Sequence, residues 1–359
     1  MEKWFTHYAE QQFLFLNDLL LAPVFILIVC YLAKLYVRNK KDPVYKKYFM
    51  AALIIRFISA IAMAMVYQYY YDGGGDSHTY FTYVQRIREI YHENPNDFYD
   101  IAFKSKHDYF QANYYLGVGS EFFFNPSSNI IIKIALYLSY PLCNTYILVA
   151  FCFTIFCFYG CWKLFMLFYE MYPHLEKEFA LACLFLPSVC FWGTGILKDP
   201  ICLGALGALT YHIYKLVFQR TKIIRRLILI VICFLLLKTI KVYIILAFMP
   251  AYTFWIFFRY KNNIQSKVLK SLMSPFLFVA STLIGVLVFI KIAQFSERYS
   301  IDGLMRTAKD TQNWLYQTST QRGGSGYSLG NIDYSPIGLL KVFPKAVNVA
   351  LFRPYLWEA

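Results

Sequence analysis

Apolar residues come in long blocks along this chain, at about 19–37, 49–71, 146–169, 179–194, 199–218, 226–258 and 272–292, with weaker blocks at 130–142 and 336–352. A bilayer span needs about 20 such residues, fewer where helices are broken or packed inside a bundle. The pattern predicts an all-α protein, a polytopic transmembrane helix bundle of about 8–10 membrane segments. The block 226–258 is too long for one span and is interrupted by LKTIKVY, which predicts two shorter helices meeting at a membrane boundary.

Two long polar stretches separate the blocks, 72–128 and 293–335, and both are expected as extracytoplasmic loop regions containing amphipathic helices. Within the first, residues 77–92 carry apolar side chains at 80, 83, 84, 87, 90 and 91. That is a helical stripe, suited to lying along a membrane surface or to packing as an ordinary surface helix. The chain divides on this reading into two N-terminal spans (1–71), an extracytoplasmic loop (72–128), a membrane core with short and broken helices (129–292), and a second loop with a membrane-associated C-terminal segment (293–359).

Composition supports a membrane class: of 359 residues, 58% are hydrophobic and only 16% charged, with a mean hydropathy of +0.43. The N-terminal twenty residues lack a basic start and a small-residue cleavage site, so the first span is expected to remain as an anchor. All nine cysteines lie in or beside apolar blocks, which argues for buried apolar thiols rather than a disulfide framework or a zinc site.

The formal charge of +14 raises nucleic acid as a partner, but its distribution argues against one. Basic residues cluster in short connections between spans, the positive-inside pattern. Residues 34–48 hold six Lys/Arg against one Asp, and 219–226 and 258–267 are also basic, so these connections are expected on the cytoplasmic side. The loop 72–128 has eight carboxylates against four Lys/Arg and is expected outside. Counting crossings then brings GTGILKDP (193–200) to the same outer side as DGGGDSH (72–78), with an acidic connection, 170–178, on the basic side. No internal repeat suggests an inverted-repeat transporter. The chain closes on an apolar rhythm, FPKAVNVALFRPYLWEA, from which a short or missing C-terminal element is expected.

Candidate chemistry sits in these outer segments. In DGGGDSH, Asp76 or Ser77 caps the helix that follows while the glycines turn the chain; alternatively Asp72 or Asp76 is a general base at the membrane boundary, where a low dielectric raises a carboxylate pKa. Asp72, Asp76 and His78 also form a sparse set of ligands for Mg or Mn. His78, Tyr114 and Tyr115 are candidate substrate contacts, the tyrosines by stacking on a sugar ring. In GTGILKDP, glycines break one helix and Pro200 starts the next. There Asp199 caps the turn and Lys198 pairs with a carboxylate, or Lys198 and the helix N-terminus receive a phosphate. Lys238 and Lys241 interrupt an apolar run and must face a wet cavity or a partner. Lys198, Lys238 and Lys241 converging on one cavity would suit a lipid-linked phosphate or pyrophosphate. Arg322 adds to that set, and Arg353 more simply snorkels or pairs.

An acidic residue in the first large outer loop, a membrane-surface helix after it, and many spans joined by short basic turns resemble the polytopic GT-C-type membrane glycosyltransferases. LPSVCFWGTGILKDPI (186–201) and LFRPYLWEA (351–359) also look like segments of bacterial membrane proteins of surface-polysaccharide assembly. The resemblance implies a glycosyltransferase or polysaccharide polymerase in the bacterial cytoplasmic (inner) membrane, its active face extracytoplasmic. It implies membrane lipid, a polyprenyl-(pyro)phosphate-linked sugar donor and a glycan acceptor as partners. Asp72 or Asp76 would be the base, and Lys198, Lys238, Lys241 and Arg322 would hold the donor phosphate. The chain departs from the commonest pattern in having an extra span before the acidic loop and three glycines between the carboxylates. A transporter or lipid flippase, or a non-catalytic subunit of an envelope complex, is the competing expectation.

Overall fold

A computed structural model of the protein describes residues 13–71, 74–103, 121–261, 308–313 and 332–352, with isolated positions between 279 and 330. The chain is an all-α helical membrane protein, with no strand among the described residues. Five described helices are long and apolar enough to cross a membrane. They are α1 (Leu16–Arg38), α2 (Tyr45–Tyr70), α6 (Tyr146–Met171), α9 (Lys198–Gln219) and α10, which crosses within Ile223–Ile256 and runs on to Lys261. Between them lie α3 (Asp76–Glu93), α4 (Pro95–Phe103) and α5 (Pro126–Ser139), then the short α7 (Glu176–Ala180) and α8 (Pro187–Trp192). Near the C-terminus, α11 spans Pro336–Phe352.

The chain divides into two units, residues 1–245 and 246–359. In the first, α6 is the central helix: 67% of its apolar window is buried in the protein, against 17% for α1. Leu16, Leu19 and Leu27 on α1 are exposed, as suits side chains that face acyl chains instead of water. α6 crosses α9 with backbone touching backbone. A side-chain carbon on Gly160 would fall 2.0 Å from the Gly204 carbonyl oxygen, and one on Gly207 would fall 2.4 Å from that of Gly160. In a membrane, where lipid is as apolar as leucine, such close approach supplies the packing that holds helices together.

Local chemistry explains the breaks. The block 179–194, expected as one crossing, is broken into two helical pieces, 176–185 and 187–192, because Pro187 forces Leu186 out of the helical region (φ −60°, ψ 121°). α5 has only 14 residues, started by the Asn125 side chain accepting the Ser127 N–H with Pro126 in the first turn. In α10 the expected interruption falls at Lys241, whose backbone leaves the helix (φ −143°, ψ 76°).

Side-chain contacts define two ends of this bundle. At one, the Asp18 carboxylate of α1 accepts the Ile147 N–H in the first turn of α6 at 3.0 Å, and Ser77 of α3 meets Tyr146. At the other end, Tyr45 packs on Trp162 and the Lys163 ammonium lies over the Tyr211 ring. The residues 34–48 and 219–226 sit at this second, basic end. In the second unit, Ser335 caps α11: its hydroxyl accepts the Gly338 N–H at 3.1 Å, and Asp333 accepts from the Ser335 N–H and hydroxyl. Those bonds hold the Asp333 carboxyl below its usual range.

Candidate functional site

The DGGGDSH and GTGILKDP segments meet at the first end of the bundle. Ser77 joins them: its buried hydroxyl accepts the Ile196 N–H at 3.1 Å and hydrogen-bonds the Tyr146 hydroxyl at 2.7 Å. Two glycines shape the turns. Gly75 (φ +89°) precedes α3, and Gly195 (φ +78°) takes a left-handed conformation beside Met63 and Ser77. Neither Asp76 nor Ser77 caps α3. Gly75 holds the capping position without a side-chain bond, and Asp76 is the first helical residue. There the exposed Asp76 carboxylate benefits from the positive end of the helix.

Asp199 stands in the corresponding place at the start of α9 and is exposed. It does not cap that helix by a side-chain bond. Its carboxylate Oδ1 instead forms an ion pair with the Lys241 ammonium across the break in α10. Lys198 is the neighbouring first-turn residue of α9. Of the three lysines, Lys241 thus pairs with Asp199, Lys198 precedes Asp199 in sequence, and Lys238 is exposed on α10. Tyr80, one turn along α3 from Asp76, is fully buried. Burial raises its pKa, and the charges of Asp76 and Asp199 raise it further. The Ser77–Ile196 bond brings the two segments together, and both carboxylates near it in sequence are exposed.

His78 is buried, whereas Asp76 is exposed. Its ring packs 4.8 Å from Phe13, and burial lowers its pKa to about 4, leaving a neutral imidazole. Among the described residues no three His, Cys, Asp or Glu side chains gather as a metal ion would require. Asp72, Tyr114, Tyr115, Arg322 and Arg353 lie outside the described residues.

One residue important to this end went unnoticed in the sequence. Arg56, in the middle of α2, is fully buried. Its Nη1 donates to the Val189 carbonyl at 2.6 Å, and its Nη2 reaches the Cys161 sulfur at 3.3 Å. The guanidinium ties α8, and through it the Gly193–Gly195 turn, to α2 and α6. A side chain at Gly193 would collide with Nη1 at 2.2 Å. The signal was legible: Arg56 is the single ionisable residue in the apolar run MAALIIRFISAIAMAM, and such a residue inside a membrane helix has a specific partner.

Comparison of the chain with protein-family models, with curated proteins and with solved structures finds no match in any of the three.

Proposed function

We propose that the protein is a membrane glycosyltransferase or polysaccharide polymerase that takes its sugar from a polyprenyl-(pyro)phosphate donor at the outer face of a bacterial cytoplasmic membrane. The observation that supports this reading most is the meeting of two segments far apart in sequence, where Ser77 bonds the Ile196 N–H and Lys241 pairs with Asp199, so that Asp76, Asp199 and Lys241 lie toward one end of a membrane bundle. A lipid-linked donor keeps its tail in the bilayer, so the reacting groups must sit at such an end.

In the proposed step the acceptor hydroxyl gives its proton to the Asp76 carboxylate while its oxygen attacks the anomeric carbon of the donor sugar. The bond from that carbon to the phosphate oxygen breaks, and the phosphate leaves with the electron pair. Lys241, with Lys198 beside it, neutralises the charge that develops on the leaving phosphate. Asp199 holds Lys241 in place before the donor arrives. Asp72, next to the same glycine turn, is the other candidate for the base. Ser77, Tyr146 and Arg56 keep the two segments in register.

The test is the surface glycan of cells carrying Asp76→Asn, Asp72→Asn or Lys241→Ala, with the membrane level of each variant measured alongside. Loss of glycan at normal protein level in Lys241→Ala and in one aspartate variant supports the enzyme and identifies the base. Unchanged glycan in all three refutes it and favours a transporter, flippase or scaffold.

A further inference from the structure

The basic end holds a cavity that this reading does not use. It encloses about 450 Å³ and is lined by Lys163, Lys222, Arg225, Arg226 and His212, with aromatic walls from α1, α2, α6 and α9. From Asp199 to His212 is 13 residues of α9, or roughly 20 Å along the helix, so this is a separate place in the fold.

Its charge is uncompensated. Four cationic side chains line the cavity, and no Asp or Glu does among the described residues. Glu170, seven residues along α6 from Lys163, is engaged by Lys215 and by Gln219. Lys163 lies 5.0 Å from the centre of the Tyr211 ring and 5.5 Å from that of Tyr159, contacts that ease a cation's burial but do not neutralise it. Lys40, over the Tyr36 ring, adds another positive charge nearby.

Two polar atoms here are buried without a hydrogen-bond partner among the described residues: Arg226 Nη1 and His212 Nδ1. His212 Nε2 faces the Tyr159 hydroxyl at 3.1 Å, which fixes the ring and leaves Nδ1 open. A buried donor on a guanidinium left unmatched is costly. Arg220 and Lys222, just before α10, both hold left-handed backbone conformations (φ +49°). For residues with side chains that is a strained arrangement, of the kind found where a loop is shaped around a ligand. The positive N-terminal end of α10 opens onto the same space.

We propose that this cavity binds a phosphate ester. Guanidinium groups present paired N–H donors that match phosphate oxygens, and Lys163 and Lys222 supply point charges around them. Phosphate alone would leave most of the volume empty, and the walls beyond the cations are aromatic. The ligand is therefore a phosphate carrying an apolar or ring-shaped remainder. That chemistry belongs both to anionic phospholipids, which would enter from the bilayer, and to soluble phosphate esters, which would enter from water.

The test uses the purified full-length protein in neutral detergent, as wild type, as the Arg225→Gln/Arg226→Gln double variant and as Lys222→Gln. Lys222 is exposed in the loop before α10, so its variant should fold even if the double variant does not. Binding of phosphatidylglycerol is read by native mass spectrometry against phosphatidylcholine, and binding of AMP by isothermal calorimetry. Wild type is expected to bind at least one of the two saturably, with affinity about tenfold weaker in the double variant and measurably weaker in Lys222→Gln. Selective retention of phosphatidylglycerol identifies a lipid source, and binding of AMP identifies a soluble one. If wild type binds neither probe, or if Lys222→Gln and the folded double variant bind as wild type does, the inference is overturned.

Discussion

Single side chains hold the rim segments of this bundle in place, and each gives a measurable expectation. Removing Arg56 takes away the donor to Val189 and opens a hole between α2, α6 and α8. Arg56→Ala should cost about 2–4 kcal/mol of stability in detergent, followed by chemical denaturation. Arg56→Met, which keeps most of the volume, should lose less, and equal losses would mean that packing contributes little there. His78 makes a prediction about pH. Burial lowers its pKa to about 4 from 6.5, so the unfolded chain binds the proton more readily than the folded one between those values. The stabilisation is full above about pH 6.5 and is lost as pH falls toward about 4, by up to roughly 1.4 kcal/mol per unit. His78→Phe should flatten the stability profile in that window, and an unchanged slope would assign it to other groups. Asp76 was legible as a candidate because a carboxylate beside a glycine break is conspicuous in an apolar chain, whereas Asp199 read only as a helix cap or a partner for Lys198. The pairing of Asp199 with Lys241 was not legible, because it joins residues 42 apart in sequence.

Elements follow from their boundaries. The limits of α1, α2, α6, α9 and α11 were readable to within a few residues from hydrophobic blocks and from the Pro and Gly that end them. The piece 179–194 runs from the Lys47–Glu176 end to the Ser77–Ile196 end, as one crossing would, but its helix is interrupted, because Pro187 acts on the backbone of Leu186. Composition is silent on such a break. The helix crossing at Gly160, Gly204 and Gly207 was equally silent, since spacing within one helix does not name its partner. Gly160→Leu should push α6 and α9 apart and destabilise the protein by about 3 kcal/mol or more, because neither opposing atom is the end of a flexible side chain. A thermal unfolding midpoint unchanged in Gly160→Leu would show that the crossing yields easily.

At the scale of the whole molecule, the two ends differ in chemistry: carboxylates and a lysine at one, a cationic aromatic cavity at the other. The charge pattern that predicted an acidic outer loop and basic inner turns agrees with this separation, since Ser77 and Ile196 meet far along α9 from Arg226. On a background with the native cysteines replaced, a cysteine at Asp76 should react with a membrane-impermeant thiol reagent in intact cells, and one at Lys222 only after permeabilisation. The reverse pattern would turn the bundle over and move the proposed site to the cytoplasm. The most direct measurement follows the reaction itself, as release of free polyprenyl (pyro)phosphate from native lipid-linked sugar in membranes containing wild type or Lys241→Ala at equal protein levels. The account predicts release with wild type, reduced at least about a hundredfold when the cation beside the leaving phosphate is gone. Equal release from wild type, Lys241→Ala and membranes lacking the protein would contradict it.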